Sequence, residues 1–401
     1  SLFPDVDSRV KFCLLTLVGS ARPARQAEFV FFAHTVSDLA DPDRRFTLAP
    51  EDFALLNPNT RTCPIFRSRR DAELTKAIYR RVPVLVEEAR GEEGNPWGVR
   101  FMRMFDMAND SHLFHAQPAP GRVPLYEAKM AHQFDHRFAT YDGADVRDTT
   151  MEEKAACSFA VSPRYWVSER EVAARLAGRW DRGWLLGWRD VTNATNERTV
   201  IAAVIPRVAV GNKFPLAILD ADPPYVAAFL ANLNSFVLDY VARQKVGGTS
   251  LNYFILKQLP ILPPTAFDRS FRDLIVPRVL ELTYTAWDLQ PFARDLGYDG
   301  PPFRWDAERR FLLRCELDAA FFHLYGLERD DVAYVMDTFP IVRRRDEKAC
   351  GDYRTKRVIL DVYDAMAEAH RTGRPYETRL DPPPADPRVA HPQWASAISS
   401  P

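Results

Sequence analysis

Apolar residues recur along this chain in two rhythms. From residue 224 to 244 the positions Val226, Phe229, Leu230, Leu233, Phe236, Val237 and Tyr240 return at spacings of three and four, which predicts a helix packed on one face. It hands over to a basic glycine loop, Lys245-Val246-Gly247-Gly248-Thr249-Ser250, and then to YFILKQLPILPP, an apolar run expected to be a short strand ending on prolines. Asp71 is expected to open a helix, DAELTKAIYRRV, that stops before Pro83. Residues 168–176 read as a further helix. Residues 184–190 and 199–210 are rich in β-branched and aromatic side chains and read as strands. So do residues 10–19 and 28–36, with the polar ARPARQ between them, as a β-hairpin. Those two runs are apolar on both faces, so they should be buried in a larger sheet. Between Trp97 and about Thr150 short strands such as WGVRFMRMFDM alternate with polar loops. Beyond Pro264 the helical rhythm takes over, at 271–296, 306–325, 330–338 and 353–372. Residues 380–401 are proline-rich and expected to lie extended over the surface. The fold class expected is α+β.

At 401 residues the chain is too long for one small core, and two or three domains are expected. Net charge is −1, so no global basic field draws the chain onto a polyanion, although a local basic face is compatible with that total. Nine lysines leave 44 of the 53 basic residues as arginine, the side chain suited to planar, bidentate contact with phosphate and guanine and also the one a GC-rich genome favours. Cys13, Cys63, Cys157, Cys315 and Cys350 are odd in number and form no CxxC. That usage points to a reduced, cytoplasmic setting with neither a disulfide framework nor a zinc site. No apolar run reaches membrane-spanning length and no signal peptide is visible. The chain begins Ser1-Leu2-Phe3-Pro4, without methionine, which reads as an excised fragment.

Three constellations carry candidate chemistry. The first is Lys129, His132, Gln133, Asp135, His136 and Arg137. Gln reads adenine while Lys and Arg read guanine or phosphate, so the group suits DNA contact. Two histidines at i and i+4 would also share a helix face and bind a metal, but no third ligand stands out, and a polar structural turn is the plainer alternative. The second is Arg189, Thr192, Asn193, Thr195, Asn196 and Arg198, on the loop between two expected strands. Amides and guanidinium groups match base edges in the major groove, while Asn and Thr are also ordinary turn formers. The third is Arg243, Gln244, Lys245, Gly247, Gly248, Thr249, Ser250 and Asn252. Paired glycines let backbone approach a phosphate, and the lysine and hydroxyls can bind it; Gly247 would also suit a left-handed helix cap. No GxSxG elbow, P-loop or nuclease pattern is present.

Six segments in order resemble adenine-specific DNA methyltransferases of restriction–modification and related phage-defence systems, in particular those with a TaqI-like C-terminal specificity domain. LFPDVDSRVKFCLLTLVG resembles the stretch after the catalytic motifs, and LNPNTRTCPIFRSRRDAELTKAIY the junction into the recognition region. PLYEAKMAHQFDHRFATY, GWRDVTNATNERTVIAAVIPRVAVGNK and residues 230–264 resemble the recognition region itself. LRCELDAAFFHLYGLERDDVAYVMDTFPIVRRRDE resembles the helical tail. The cofactor loop and the Asn-Pro-Pro-Tyr/Phe motif of that family are absent. Asp222-Pro223-Pro224-Tyr225 is the nearest approach, and is read as a helix start, with Pro in the first turn and Asp facing the dipole.

The resemblance implies three parts: 1–56 as the last strands of a methyltransferase sheet, 57–265 as a mixed target-recognition domain, and 266–401 as a helical tail. It implies sequence-specific recognition of double-stranded DNA, with no catalytic, cofactor or metal-binding residue in this chain. S-adenosylmethionine and N6-adenine methylation would belong to the intact protein, through a catalytic domain upstream. The DNA-contacting residues expected are Lys129, His132, Gln133, Arg137, Arg189, Thr192, Asn193, Asn196, Arg198, Gln244, Lys245, Gly247, Gly248, Thr249 and Asn252. The alternative function is a protein-interaction module that docks partner subunits of a defence complex. A hydrolytic enzyme is disfavoured because no nucleophile or metal motif is present.

Overall fold

The computed structural model describes residues 12–392, and the fold is α+β. Its strands are β1 (Ala27–Phe29), β2 (Phe46–Leu48), β3 (Arg100–Met102), β4 (Arg122–Tyr126), β5 (Ala139–Asp142), β6 (Asp145–Asp148), β7 (Trp166–Ser168), β8 (Trp184–Trp188), β9 (Ala202–Pro206), β10 (Ala209–Val210) and β11 (Leu216–Ile218). Its helices are α1 (Pro50–Leu56), α2 (Arg69–Arg81), α3 (Met151–Ala155), α4 (Glu169–Leu176), α5 (Pro223–Asn234), α6 (Phe236–Arg243), α7 (Tyr253–Lys257), α8 (Arg269–Thr283), α9 (Gln290–Asp295), α10 (Ala307–Leu324), α11 (Arg329–Asp337), α12 (Pro340–Cys350) and α13 (Arg354–Thr372).

The central sheet is antiparallel, in the order β3-β11-β8-β9. Every residue of β8 and β9 is buried, as the unbroken apolar runs WLLGW and AAVIP require. A second sheet, β10-β4-β7, pairs β4 parallel to β10 and antiparallel to β7. The hydrophobic core runs without a break from Phe46 to Ala390, so all three segments anticipated from the sequence share it. Trp97 sits within it, fully buried, edge-on to Phe229 at 5.0 Å, and its indole N–H donates to the Leu262 carbonyl at 3.1 Å.

The anticipated helix over 224–244 is two helices, α5 and α6, bent by 52°. Ser235 lies at the break with extended backbone and caps α6, accepting from Leu238 N at 3.3 Å. Asp222 stands at the N-cap position of α5, followed by Pro223 and Pro224, as its sequence suggested. No single helix among the described residues is long and apolar enough to cross a membrane. The anticipated strand after the glycine loop is instead α7, because Asn252 accepts from Ile255 N at 3.4 Å and starts a helical turn. Only the stretch just beyond it is extended, bridging Val84 through Pro260. A short apolar run fits either conformation, and the cap decides.

The N-terminal hairpin also differs. Residues 10 and 11 lie outside the described residues, and 12–19 form no strand: Leu14 and Leu17 are 80% and 81% exposed. The pair that does form is β1 with β2. The C-terminal helices fall where the rhythm placed them, except that the first ends at Thr283 and α12 begins unannounced at Pro340. The tail runs irregularly to Pro392 and is only in part the extended segment expected, since Pro387–Val389 form a 3₁₀ turn capped by Asp386; 393–401 lie outside the described residues. Glu316 holds its first part through Tyr376 and Thr378, each at 2.8 Å, and Arg309 donates to the Pro382 carbonyl at 2.7 Å.

One buried ion cluster joins α6 to the loop before β9. Asp239, with no exposure, takes Arg198 at 2.7 Å, Arg243 at 3.1 Å and the Thr199 amide at 3.0 Å. The guanidinium groups of Arg198 and Arg243 lie over Phe236 and Phe339, whose rings meet at 4.7 Å. Removing one partner of a buried pair leaves the other charge uncompensated. Asp239→Ala is expected to lower the free energy of unfolding by about 3–5 kcal/mol, read from urea denaturation. A loss below about 1 kcal/mol, the range of an exposed pair, would mean that the cluster does not hold these elements together.

Candidate nucleic-acid interface

The three polar loops are far apart in sequence and adjacent in space. Arg189, directly after β8, donates through Nε to the Ala131 carbonyl at 2.8 Å and through Nη2 to the Lys129 carbonyl at 3.3 Å. That ties the first loop to the second. Leu251 N donates to the Asp190 carbonyl at 2.7 Å and Thr192 N to the Thr249 carbonyl at 3.0 Å, with a bridge between Val191 and Ser250. Those bonds tie the second loop to the third.

Most of the anticipated DNA-contacting side chains point inward and build this platform. Gln133 is buried and donates to the Val200 carbonyl at 2.8 Å. Arg137 is fully buried and donates to the carbonyls of Ala156 at 2.8 Å, Lys154 at 3.0 Å and Thr285 at 3.0 Å, closing the end of α3. Arg198 belongs to the Asp239 cluster, and buried Thr192 donates to the Thr199 carbonyl at 2.8 Å. Gln244 is buried and accepts from Thr75 at 2.9 Å.

Lys245 reaches back to the Leu56 carbonyl, to Asn57 Oδ1 at 2.6 Å and to the Gln258 carbonyl at 3.0 Å, over the Tyr79 ring at 4.6 Å. Burial holds its amine well below the ordinary lysine range. Burial also lowers Arg189 to about 10. Asn193 closes an Asx turn, accepting from Thr195 N at 2.8 Å, and Asn252 caps α7.

Exposed on the face are Asn196, Gly247, Gly248 and Thr249, and the Lys129 side chain is about half exposed. Gly247 is not left-handed: α6 ends earlier, with Gln244 in right-handed backbone, and Gly247 lies against Ile65. Gly248 also has ordinary backbone, and a Cβ there would meet nothing within 4 Å. The chain's own packing therefore does not require glycine at 248.

The histidines anticipated as an alternative helical pair lie in a tight turn closed by His132 N to the Asp135 carbonyl at 2.7 Å. His136 meets Asp288 at 2.8 Å, and His132 packs on Phe138 at 4.7 Å. Among the described residues no group of three or more His, Cys, Asp or Glu is placed to hold a metal ion.

Several residues of this face escaped the sequence reading. Lys213, 56% exposed, meets buried Asp190 at 3.2 Å. Exposed Arg103 lies over the Tyr253 ring at 5.1 Å, and that ring stacks on Phe101 at 5.2 Å and stands edge-on to Trp188 at 5.8 Å. Phe254 beside it is 56% exposed. The alternation Phe101–Arg103 on one strand face was the available signal, but it has no meaning without Tyr253 opposite. The face thus offers cations, hydroxyls, an amide and an aromatic surface. No protein-family model matches the chain, and no curated protein matches it.

Two groups near the platform, half-buried His132 and buried Asp318, respond to pH in opposite senses. Burial and Arg189 push His132 down to about 3, so the unfolded chain takes up this proton first as pH falls. Its contribution to stability is complete above about 6.5 and is lost on acidification, by at most about 1.4 kcal/mol per pH unit. Burial raises Asp318 to about 6, so its contribution is complete below its ordinary value of 3.8 and is lost as pH rises through 6. Relative to the wild type, His132→Gln should tilt stability downward with rising pH between about 4 and 6, and Asp318→Asn should tilt it upward. Urea midpoints across that window check both signs.

Proposed function

We propose that this chain is the DNA-recognition part of a site-specific modification enzyme, reading double-stranded DNA for an adenine methyltransferase of a restriction–modification or phage-defence system. The observation that carries this reading is the convergence of three loops, separated by tens of residues, whose backbones bond to one another and which carry Lys129, Thr249 and Asn196, with Lys213 beside Asp190 and Arg103 beside Tyr253. Buried arginines fix the loop backbones, and the remaining outward cations suit phosphates. Asn196 and Thr249 are free to meet base edges. S-adenosylmethionine and the methyl transfer belong, in this reading, to a catalytic domain of the intact protein in the cytoplasm. A second reading, docking to a partner subunit, is favoured by the exposed apolar segment with Leu14, Leu15, Leu17 and Val18.

The test is duplex binding by fluorescence anisotropy. Wild type should bind at low salt with an affinity that falls as salt rises. Replacing Lys129, Arg103 and Lys213 by alanine should weaken binding and reduce the salt slope by about 1 for each phosphate that is no longer neutralised. Gly248→Ala should leave the melting temperature unchanged, because its Cβ meets only open space, yet weaken duplex binding. Absence of duplex binding at low salt, with the catalytic domain restored, would overturn the reading.

A further inference from the structure

We infer that the cleft between α8, α10, α13 and the tail binds a small aromatic monoanion that carries a hydrogen-bond donor. The site uses no residue of the candidate DNA face and stands independently of the duplex-binding reading. The cleft has a volume of about 1030 Å³, enough for a ligand of metabolite size. Apolar side chains line it from every side: Phe271 and Leu274 of α8, Ala320 of α10, Met366 and Ala369 of α13, and Tyr376 of the tail. The tail wall is fixed in place. Tyr376 and Thr378 each donate to Glu316 Oε1 at 2.8 Å, and Glu316, 1% exposed, also takes Arg278 at 2.7 Å. The Tyr376 hydroxyl is thereby occupied, and its half-buried ring lines the cleft beside Phe271.

Two groups set the polar chemistry of the ligand. The first is His323, which lines the cleft, stacks on Tyr363 at 3.8 Å and places Nε2 2.9 Å from the Tyr363 carbonyl. A carbonyl only accepts, so Nε2 carries the hydrogen. Burial holds this ring below the ordinary histidine range, and in the neutral form Nδ1 is an acceptor. Among the described residues Nδ1 has no donor, and it is not sealed from solvent. It therefore suits a ligand N–H or O–H. The second is Arg374. Of the other arginines on the walls, Arg278 is matched by Glu316 and Arg269 faces Asp273 at 3.8 Å. Exposed Arg374 has no carboxylate partner among the described residues, and His370 lies one turn before it at the end of α13. One unmatched guanidinium calls for one negative charge on the ligand.

Anilinonaphthalene sulfonate has these features: apolar rings, one N–H and one anionic group. N-phenylnaphthylamine is the same molecule without the sulfonate. Fluorescence titration of wild type should show saturable binding of both probes, about tenfold tighter for the sulfonate. Arg374→Ala should erase that difference and leave the uncharged probe bound as before. Its side chain is exposed and unpaired, so the melting temperature should not change. His323→Phe keeps a ring against Tyr363 but removes the acceptor, and should weaken both probes about tenfold. Should that variant fail to fold, the Arg374→Ala comparison still decides. The apolar segment with Leu14 and Leu17, 80% and 81% exposed, could also take up such dyes, but binding there would be indifferent to Arg374. Equal affinity of wild type for the two probes, a preference that survives Arg374→Ala, or no saturable binding up to about 1 mM would each overturn the site. None of these results bears on duplex binding.

Discussion

Asp239 is the carboxylate on which the arrangement of this protein turns. It is wholly buried, and it answers two arginines and a backbone amide at once. A charge so placed is tolerated only when its partners are fixed around it. Arg198 comes from the loop before β9 and Arg243 from the end of α6, so satisfying Asp239 fixes the polar loop relative to the buried helices. Arg198 also donates to the Asn234 carbonyl at 2.6 Å, at the helix break. Arg243 covers the carbonyls of Asn196 and Glu197, both at 2.6 Å. The bend between α5 and α6 and the shape of the 193–198 loop are thus parts of one electrostatic solution.

The same logic recurs across the face. Arg137 closes the end of α3, Arg189 holds the 129–131 backbone, and Lys245 gathers carbonyls from two distant segments. Each long cationic side chain has several donors, and a loop has many unanswered carbonyls. An irregular segment without strand or helix partners is therefore held most readily by arginine. Basic residues that sequence patterns associate with phosphate were drawn inward for this reason, and what they hold still is the surface on which the outward groups stand.

The helices of the C-terminal part were legible because caps and rhythm agree: Asp306 starts α10, accepting from Arg309 N at 2.9 Å, and Gly373 ends α13 in left-handed backbone. The strands β8 and β9 were legible because full burial leaves an unbroken apolar run. YFILK was not, since four apolar residues in a row carry no period and the single Asn252 cap outweighs them. The loops of the candidate face were found by residue type, and their adjacency was not, because it rests on backbone bonds such as Thr192 to Thr249 that leave no composition signal. Arg103 and Lys213 were missed for the complementary reason. Nothing marks an exposed cation in a sequence until the fold shows which others lie beside it.

A net charge of −1 sets how such a face can work. Without a global field, capture at a distance is weak, and affinity must come from contacts made after encounter. Only a few outward cations remain near the loops, so under the proposed duplex-binding reading counterion release would supply a limited share of the binding free energy. The balance falls to groups that are rigid before binding: a capped helix start, a stacked aromatic base and glycine backbone open to approach. Rigidity reduces the ordering cost of association, so under that reading a weakly charged surface would discriminate among duplexes by shape. The inward arginines and the sparse outward charge are then two sides of one constraint: the basic side chains that fix the platform are not available to a ligand.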